Sequence, residues 1–200
     1  MQPGFFSAIT MTHRYTLPLV LTLALTLLSA PRSGAQRLSV GTNVADWLSL
    51  GTLNANASVA VARHFTINAE ARVNPWTFNT NDSETQLQNR HQTYSAGMRW
   101  WPWYVYSGWW VGLAAQYQEY NRGGIFSRDT EEGDAFGAVL GAGYTIMLHE
   151  HLNLDVGAAG WTGQTVYTVY DCPRCGRISD SGKKWFILPS EVYLSLIWVF

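Results

Sequence analysis

Charge is what this 200-residue chain has least of. Asp, Glu, Lys and Arg make up 14% of it and the formal net charge is −1, where soluble proteins carry ~25% charged residues. The only lysines are Lys183 and Lys184. A nucleic-acid binder needs a basic face to neutralise phosphates, and 13 basic residues set against 14 acidic ones do not supply it. Long apolar runs are equally scarce. Leu17 to Ala30 is the one continuous stretch, about 14 residues where a spanning helix needs ~20. Cysteine is limited to Cys172 and Cys175, which excludes a four-cysteine zinc site. What is present in quantity is apolar: 47% hydrophobic residues, with 10 Trp. A mature chain of this composition, if it lives in a membrane, crosses it without helices.

The first segment has the three parts of a secretory signal: basic His13 and Arg14, the apolar centre Leu17 to Ala30, and small Ser33, Gly34 and Ala35. Cleavage after Ala35 divides the chain into a signal peptide, 1–35, and one domain, 36–200. Export also places the two cysteines in an oxidising compartment.

From Leu38 onward the hydrophobic signal has period two, the spacing at which side chains alternate between the faces of a sheet. Phe65, Ile67, Ala69, Ala71 and Val73 alternate with Thr66, Asn68, Glu70, Arg72 and Asn74. Eight such runs are read: Leu38–Trp47, Leu53–Ala62, Phe65–Trp76, His91–Trp101, Trp109–Tyr120, Ala135–Leu148, His151–Tyr167 and Trp185–Phe200. Each reaches the ~9 to 11 residues with which a tilted strand crosses a bilayer. The connections alternate in length. Arg63-His64, Trp101 to Ser107 and His149-Glu150 are short, whereas Thr77–Arg90, Asn121–Asp134 and Thr168–Lys184 are long and polar; Leu48 to Thr52 is short but falls on the long-loop side. The expected fold is therefore all-β, an eight-stranded antiparallel up-and-down transmembrane barrel.

Charge placement agrees, since 15 of the 27 charged residues (13 basic, 14 acidic) lie in the three long loops. Strand centres on the apolar phase carry almost none, as lipid requires; Asp46 and Glu119 fall on or near that phase, at strand ends. Trp76, Trp100, Trp109, Tyr117, Trp161 and Trp185 at segment ends suit interfacial girdles. Alternation alone also allows the opposite facing, a soluble secreted barrel with an apolar interior. Its water-facing phase would then be rich in Gly and poor in charge, an unusual surface.

The last run places Leu194, Leu196, Trp198 and Phe200 on one phase. This resembles the C-terminal signal through which bacterial outer-membrane barrels are recognised by the barrel-assembly machinery. Five further stretches stand in a telling order: Thr42-Asn43, Asn74-Pro75-Trp76, Gln116-Tyr117 through Asn121 with Gly123-Gly124, Cys172-Pro173-Arg174-Cys175-Gly176, and Lys184-Trp185-Phe186. In these the chain resembles a family of Bacteroides-group outer-membrane proteins, domain of unknown function 3575. The resemblance implies a small outer-membrane barrel, with a link to surface fimbriae for some members, and no catalytic residue.

Five charged residues fall on the interior phase: Glu70, Arg72, Arg99, Asp155 and Glu191. The lumen of an eight-stranded barrel is just wide enough for side chains to fill, so these are expected to pair as a packed ionic plug rather than line a pore. Cys172 and Cys175 are read as a small loop disulfide rather than a redox centre. His149-Glu150-His151 is read as a solvated turn, because neighbours on an extended chain point to opposite faces. His91 and Thr93 share one strand face, and lipid-A deacylases pair a His with a Ser on a similar barrel, but no acid is placed beside them by spacing. The expectation is a non-enzymatic barrel without cofactor or metal, in contact with outer-membrane lipid and, through its loops, with a surface or fimbrial partner. A small lipid-modifying enzyme and a soluble ligand-binding barrel are the alternatives.

Overall fold

A computed structural model describes residues 37–79, 86–123, 129–171 and 177–200. The export segment and both cysteines, Cys172 and Cys175, lie outside the described residues.

Nine antiparallel strands form one up-and-down sheet that closes into a ring. They are β1 (Leu38–Asn43), β2 (Leu53–Ala62), β3 (Phe65–Asn74), β4 (Thr77–Phe78), β5 (Leu87–Trp100), β6 (Gly108–Gly123), β7 (Thr130–Met147), β8 (Leu152–Tyr170) and β9 (Ile178–Val199), with the short helix α1 (Val44–Leu48) after β1. The ring itself passes through eight of them. β1 closes on β9, with Ser39 opposite Val199 and Asn43 opposite Ser195, and β3 closes on β5, with Phe65 opposite Trp100 and Asn74 opposite His91. β4 pairs with β5 alone and continues the line of β3 beyond Pro75.

The facing is the reverse of that of a soluble barrel. Leu113, Phe136, Leu140 and Val192 are each more than 60% exposed, whereas Thr66, Asp155 and Ser195 are at most 2% exposed. Apolar side chains thus point outward and the polar phase fills the lumen. Apolar burial is confined to the lumen, where Trp101, Tyr106, Trp110, Tyr193, Ile197 and Val199 pack together; the continuous backbone ladder and the polar interior hold the rest of the wall.

Three expectations require correction. The first strand was expected to run from Leu38 to Trp47, but β1 ends at Asn43, whose side-chain Oδ1 accepts a hydrogen bond from the Ala45 N–H at 3.1 Å and caps α1. The strands on the long-loop side reach further than the hydrophobic pattern marks: β9 begins at Ile178 and β8 ends at Tyr170. At the start of β9 both faces are exposed, so no alternation is selected there, while the backbone pairing continues (Glu131 opposite Val169, Thr168 opposite Ser181). Trp161 was expected in an outer girdle but is 6% exposed and points inward, on the same parity as Asp155. Trp76, Trp100, Trp109, Tyr117 and Trp185 do face outward.

At the short-turn end the chain folds back into the barrel. Tyr106 (φ 63°) and Gly108 (φ +77°) adopt left-handed conformations, and Gly108 lies so close beneath the Trp103 ring that an added Cβ would meet it at 2.4 Å. This turn drives Tyr106 into the base, 4% exposed, edge-on to Trp101. Its hydroxyl lies 3.1 Å from Ser58 Oγ and 3.2 Å from the Arg37 carbonyl, so the polar tip is satisfied as the ring closes the floor.

Candidate functional site in the lumen

Above that floor lies the first ionic cluster. β5 carries Arg99 inward and β8 carries Asp155, and the guanidinium donates to the carboxylate at 2.7 Å. Trp110 Nε1 and Thr145 Oγ1, from β6 and β7, donate to the other carboxylate oxygen. Arg99 also stacks over the Trp110 ring at 3.9 Å. Asp155 is fully buried. A buried carboxylate with three donors is the condition under which burial of charge is tolerable.

A second cluster lies nearer the long loops. Arg72 faces Glu191 at 3.5 Å and Glu70 at 3.6 Å, and donates to Gln116 Oε1 at 3.0 Å. Asn43 Nδ2 donates to the Glu191 carboxylate at 2.7 Å and to the Val192 carbonyl at 3.0 Å. All five residues expected in the lumen are therefore there, divided into two groups rather than one network. A sixth charge joins them that the sequence reading put on the outer phase: α1 turns Asp46 inward, and oxygens of Asp46, Glu70 and Glu191 lie within 4.8 Å of one another. Burial raises the Asp46 carboxyl to about 6; the Glu191 charge adds to this and Arg72 opposes it.

β9 has an irregularity at this level. Ala159 is opposite Glu191 while Gly160 is opposite Pro189, so Ser190 is the extra residue of a bulge. The bulge changes the inward parity of β9 from Glu191 below it to Phe186 above it, and Phe186 packs edge-on against Trp161 with centroids 4.6 Å apart. Pro189, which lacks an N–H, is accommodated because β1 pairs with β9 only over Ser195–Val199.

Between the second cluster and the long loops the lumen opens into a vestibule of about 490 Å³. His91 and Thr93 both line it, as expected from their shared face. His91 Nδ1 lies 3.2 Å from the Asn89 carbonyl, and the Thr93 hydroxyl accepts from Gln118 Nε2 at 3.1 Å. At the opposite end His151 Nδ1 lies 3.0 Å from the Val199 carbonyl and its ring stacks on Trp198. Leu194, Leu196, Trp198 and Phe200 all face outward.

The family model described as a protein of unknown function (DUF3575) matches residues 19–200. No curated protein and no solved structure matches the chain.

Proposed function

We propose that this chain, which belongs to the DUF3575 family, is an integral outer-membrane β-barrel without catalytic activity, closed to solutes, whose long-loop end meets a partner at the cell surface. The observation that carries the reading is the facing of the wall: an apolar exterior around a polar, ion-paired interior. A soluble ligand-binding barrel needs the opposite arrangement, since exposed apolar belts of this size are not left to water. The outward rings of Trp76, Trp100 and Trp109 suit the two edges of a bilayer. Closure to a general porin's solutes is supported by two ion-paired layers above a floor of Trp101 and Tyr106, which fill the lumen among the described residues.

For a surface partner, the supporting feature is β9. Among the described residues it pairs on one side only above Ser195, and there it exposes Trp185 by 72% and Ile187 by 85%. A fimbrial subunit is one such partner, and the outward row ending at Phe200 suits recognition by the barrel-assembly machinery. Full-length protein in an outer-membrane fraction should migrate faster in an unheated detergent gel than after boiling, and in a planar bilayer it should give no steady conductance. Equal mobility before and after boiling, with recovery in the soluble fraction, would overturn the reading.

A further inference from the structure

β9 runs on beyond the seam that it closes. β8 pairs with it along its whole length, from Leu152 opposite Trp198 to Tyr170 opposite Ile178, whereas β1 covers its other edge only from Ser195 to Val199. Asn43 extends that cover slightly, since its side chain donates to the Val192 carbonyl and accepts from the Leu194 N–H. Higher up, no strand covers this edge among the described residues, and Asp180 Oδ1 takes the Ser181 N–H at 2.8 Å. The open edge is thus closed above by Asp180 and below by Pro189 and the Ser190 bulge. Residues 182–188 between them, the length of an ordinary strand, keep a regular register with β8 and have no neighbour on the other side.

Phase shows which groups wait there. The Thr162 hydroxyl of β8 donates to the Phe186 carbonyl at 3.0 Å, so Phe186 faces β8; Lys183, Trp185 and Ile187 therefore direct their N–H and C=O groups to the open side. The side chains of the same three residues share the outer face. Ile187 is 85% exposed against 63% for Leu140, which has a strand on each side, and the difference is the flank that a next strand would cover. Lys184 holds Glu131, but Lys183 makes no ion pair among the described residues.

An unpaired row of backbone groups beside an apolar face with one unmatched cation fits an extended polypeptide. An acyl chain has nothing to give the N–H and C=O groups. A second copy does not fit either: two barrels in one membrane stand the same way up, and the two-fold axis between them would set the outer face of one edge beside the inner face of the other.

We propose that β9 takes one further strand over residues 182–188 from a partner protein, an extended segment with apolar residues at alternate positions and a carboxylate opposite Lys183. This rests on the surface-partner reading above and states how that partner is held.

The test is fluorescence anisotropy of short labelled peptides with full-length protein in lauryldimethylamine oxide micelles. Valine alternates with threonine in each peptide, and the central valine is replaced by glutamate in one and by lysine in the other. The glutamate peptide should bind with a Kd on the order of 100 µM or tighter, and the lysine peptide about three- to tenfold more weakly. N-methylation of one alternate set of its residues should abolish binding of the glutamate peptide and of the other set should not, because a ladder uses one edge of the incoming strand. Lys183→Glu should reverse the order of the two peptides, and Ile187→Pro should weaken both, each with the gel-mobility shift intact. Should Ile187→Pro lose that shift, the N-methylated peptides report the same backbone pairing. Folded wild-type protein that binds neither peptide, binding indifferent to N-methylation, or an order unchanged by Lys183→Glu would overturn the inference and leave the barrel reading in place. A dimer that the peptide dissociates would also overturn it, since the edge then serves a second copy. Binding with the expected pattern by wild-type protein that shows no gel shift would overturn the membrane reading and leave this one standing.

Discussion

Arg99 and Asp155, 56 residues apart in the chain, meet at 2.7 Å inside the barrel, and the guanidinium that neutralises the carboxylate also covers the Trp110 ring. One side chain therefore supplies charge, a hydrogen bond and packing to the same layer. Arg99→Met would leave Asp155 fully buried with only the Trp110 and Thr145 donors. Removing one partner of a buried pair costs about 3 to 5 kcal/mol. The temperature at which the compact gel band converts to the unfolded one should fall clearly, with no conductance gained, because the floor and the second cluster remain. An unchanged transition would show that the pair contributes little to stability.

The outer wall makes a second prediction. Leu140 sits in the middle of β7, 63% exposed, opposite Leu113 and Gly160. If that face meets lipid, Leu140→Arg costs about 2 to 4 kcal/mol at the bilayer midplane, and the folded fraction in membranes should drop. In water the same substitution would be harmless, so normal recovery of folded protein would argue against a lipid-facing wall.

Asp46 gives a pH dependence. Its carboxyl is raised from 3.8 to about 6 in the folded chain, by burial first and then by Glu191, so ionisation opposes folding. For a raised acid the stability is fully present below the unfolded value, near 4, and is lost as pH rises through about 6. Asp46→Asn should therefore raise the unfolding temperature at pH 7.5 relative to wild type and bring no gain at pH 4. A gain of the same size at both pH values would remove ionisation as the cause.

Tyr106 closes the floor, and Tyr106→Ala removes a ring that is 4% exposed. Large-to-small changes at aromatic core positions cost about 3 to 5 kcal/mol. Thermal unfolding in micelles should show the loss, while bilayer recordings should stay silent because Arg99, Asp155 and Trp110 still fill the next layer. Steady conductance from this variant would show that Tyr106 alone seals the barrel.

Much of the wall is legible in the sequence, since β2 coincides with its expected span and every expected run overlaps a strand of the ring. The misreadings have separate causes. Trp161 was classed by its residue type, although its parity with Asp155 marked it as interior. Asp46 could not be placed by parity at all, because α1 interrupts the alternation and only the Asn43 cap announces it. The start of β9 is exposed on both faces, and the upper ends of β7 and β8 are mostly polar or half-buried, so nothing in the hydrophobic pattern distinguishes them from loop.

A period-two pattern fixes the face on which each side chain lies, and the sparing use of charge identifies the polar phase. On those grounds the sequence alone determined a closed sheet and the five charges of its interior. Depth is another matter. Which Arg meets which carboxylate depends on the stagger with which β1 closes on β9 and β3 on β5, and no local spacing encodes that stagger. Only the tertiary structure decided that Arg72 serves Glu70 and Glu191, that Arg99 serves Asp155, and that a polar vestibule remains above them, because each is set by ring closure between residues distant in the chain.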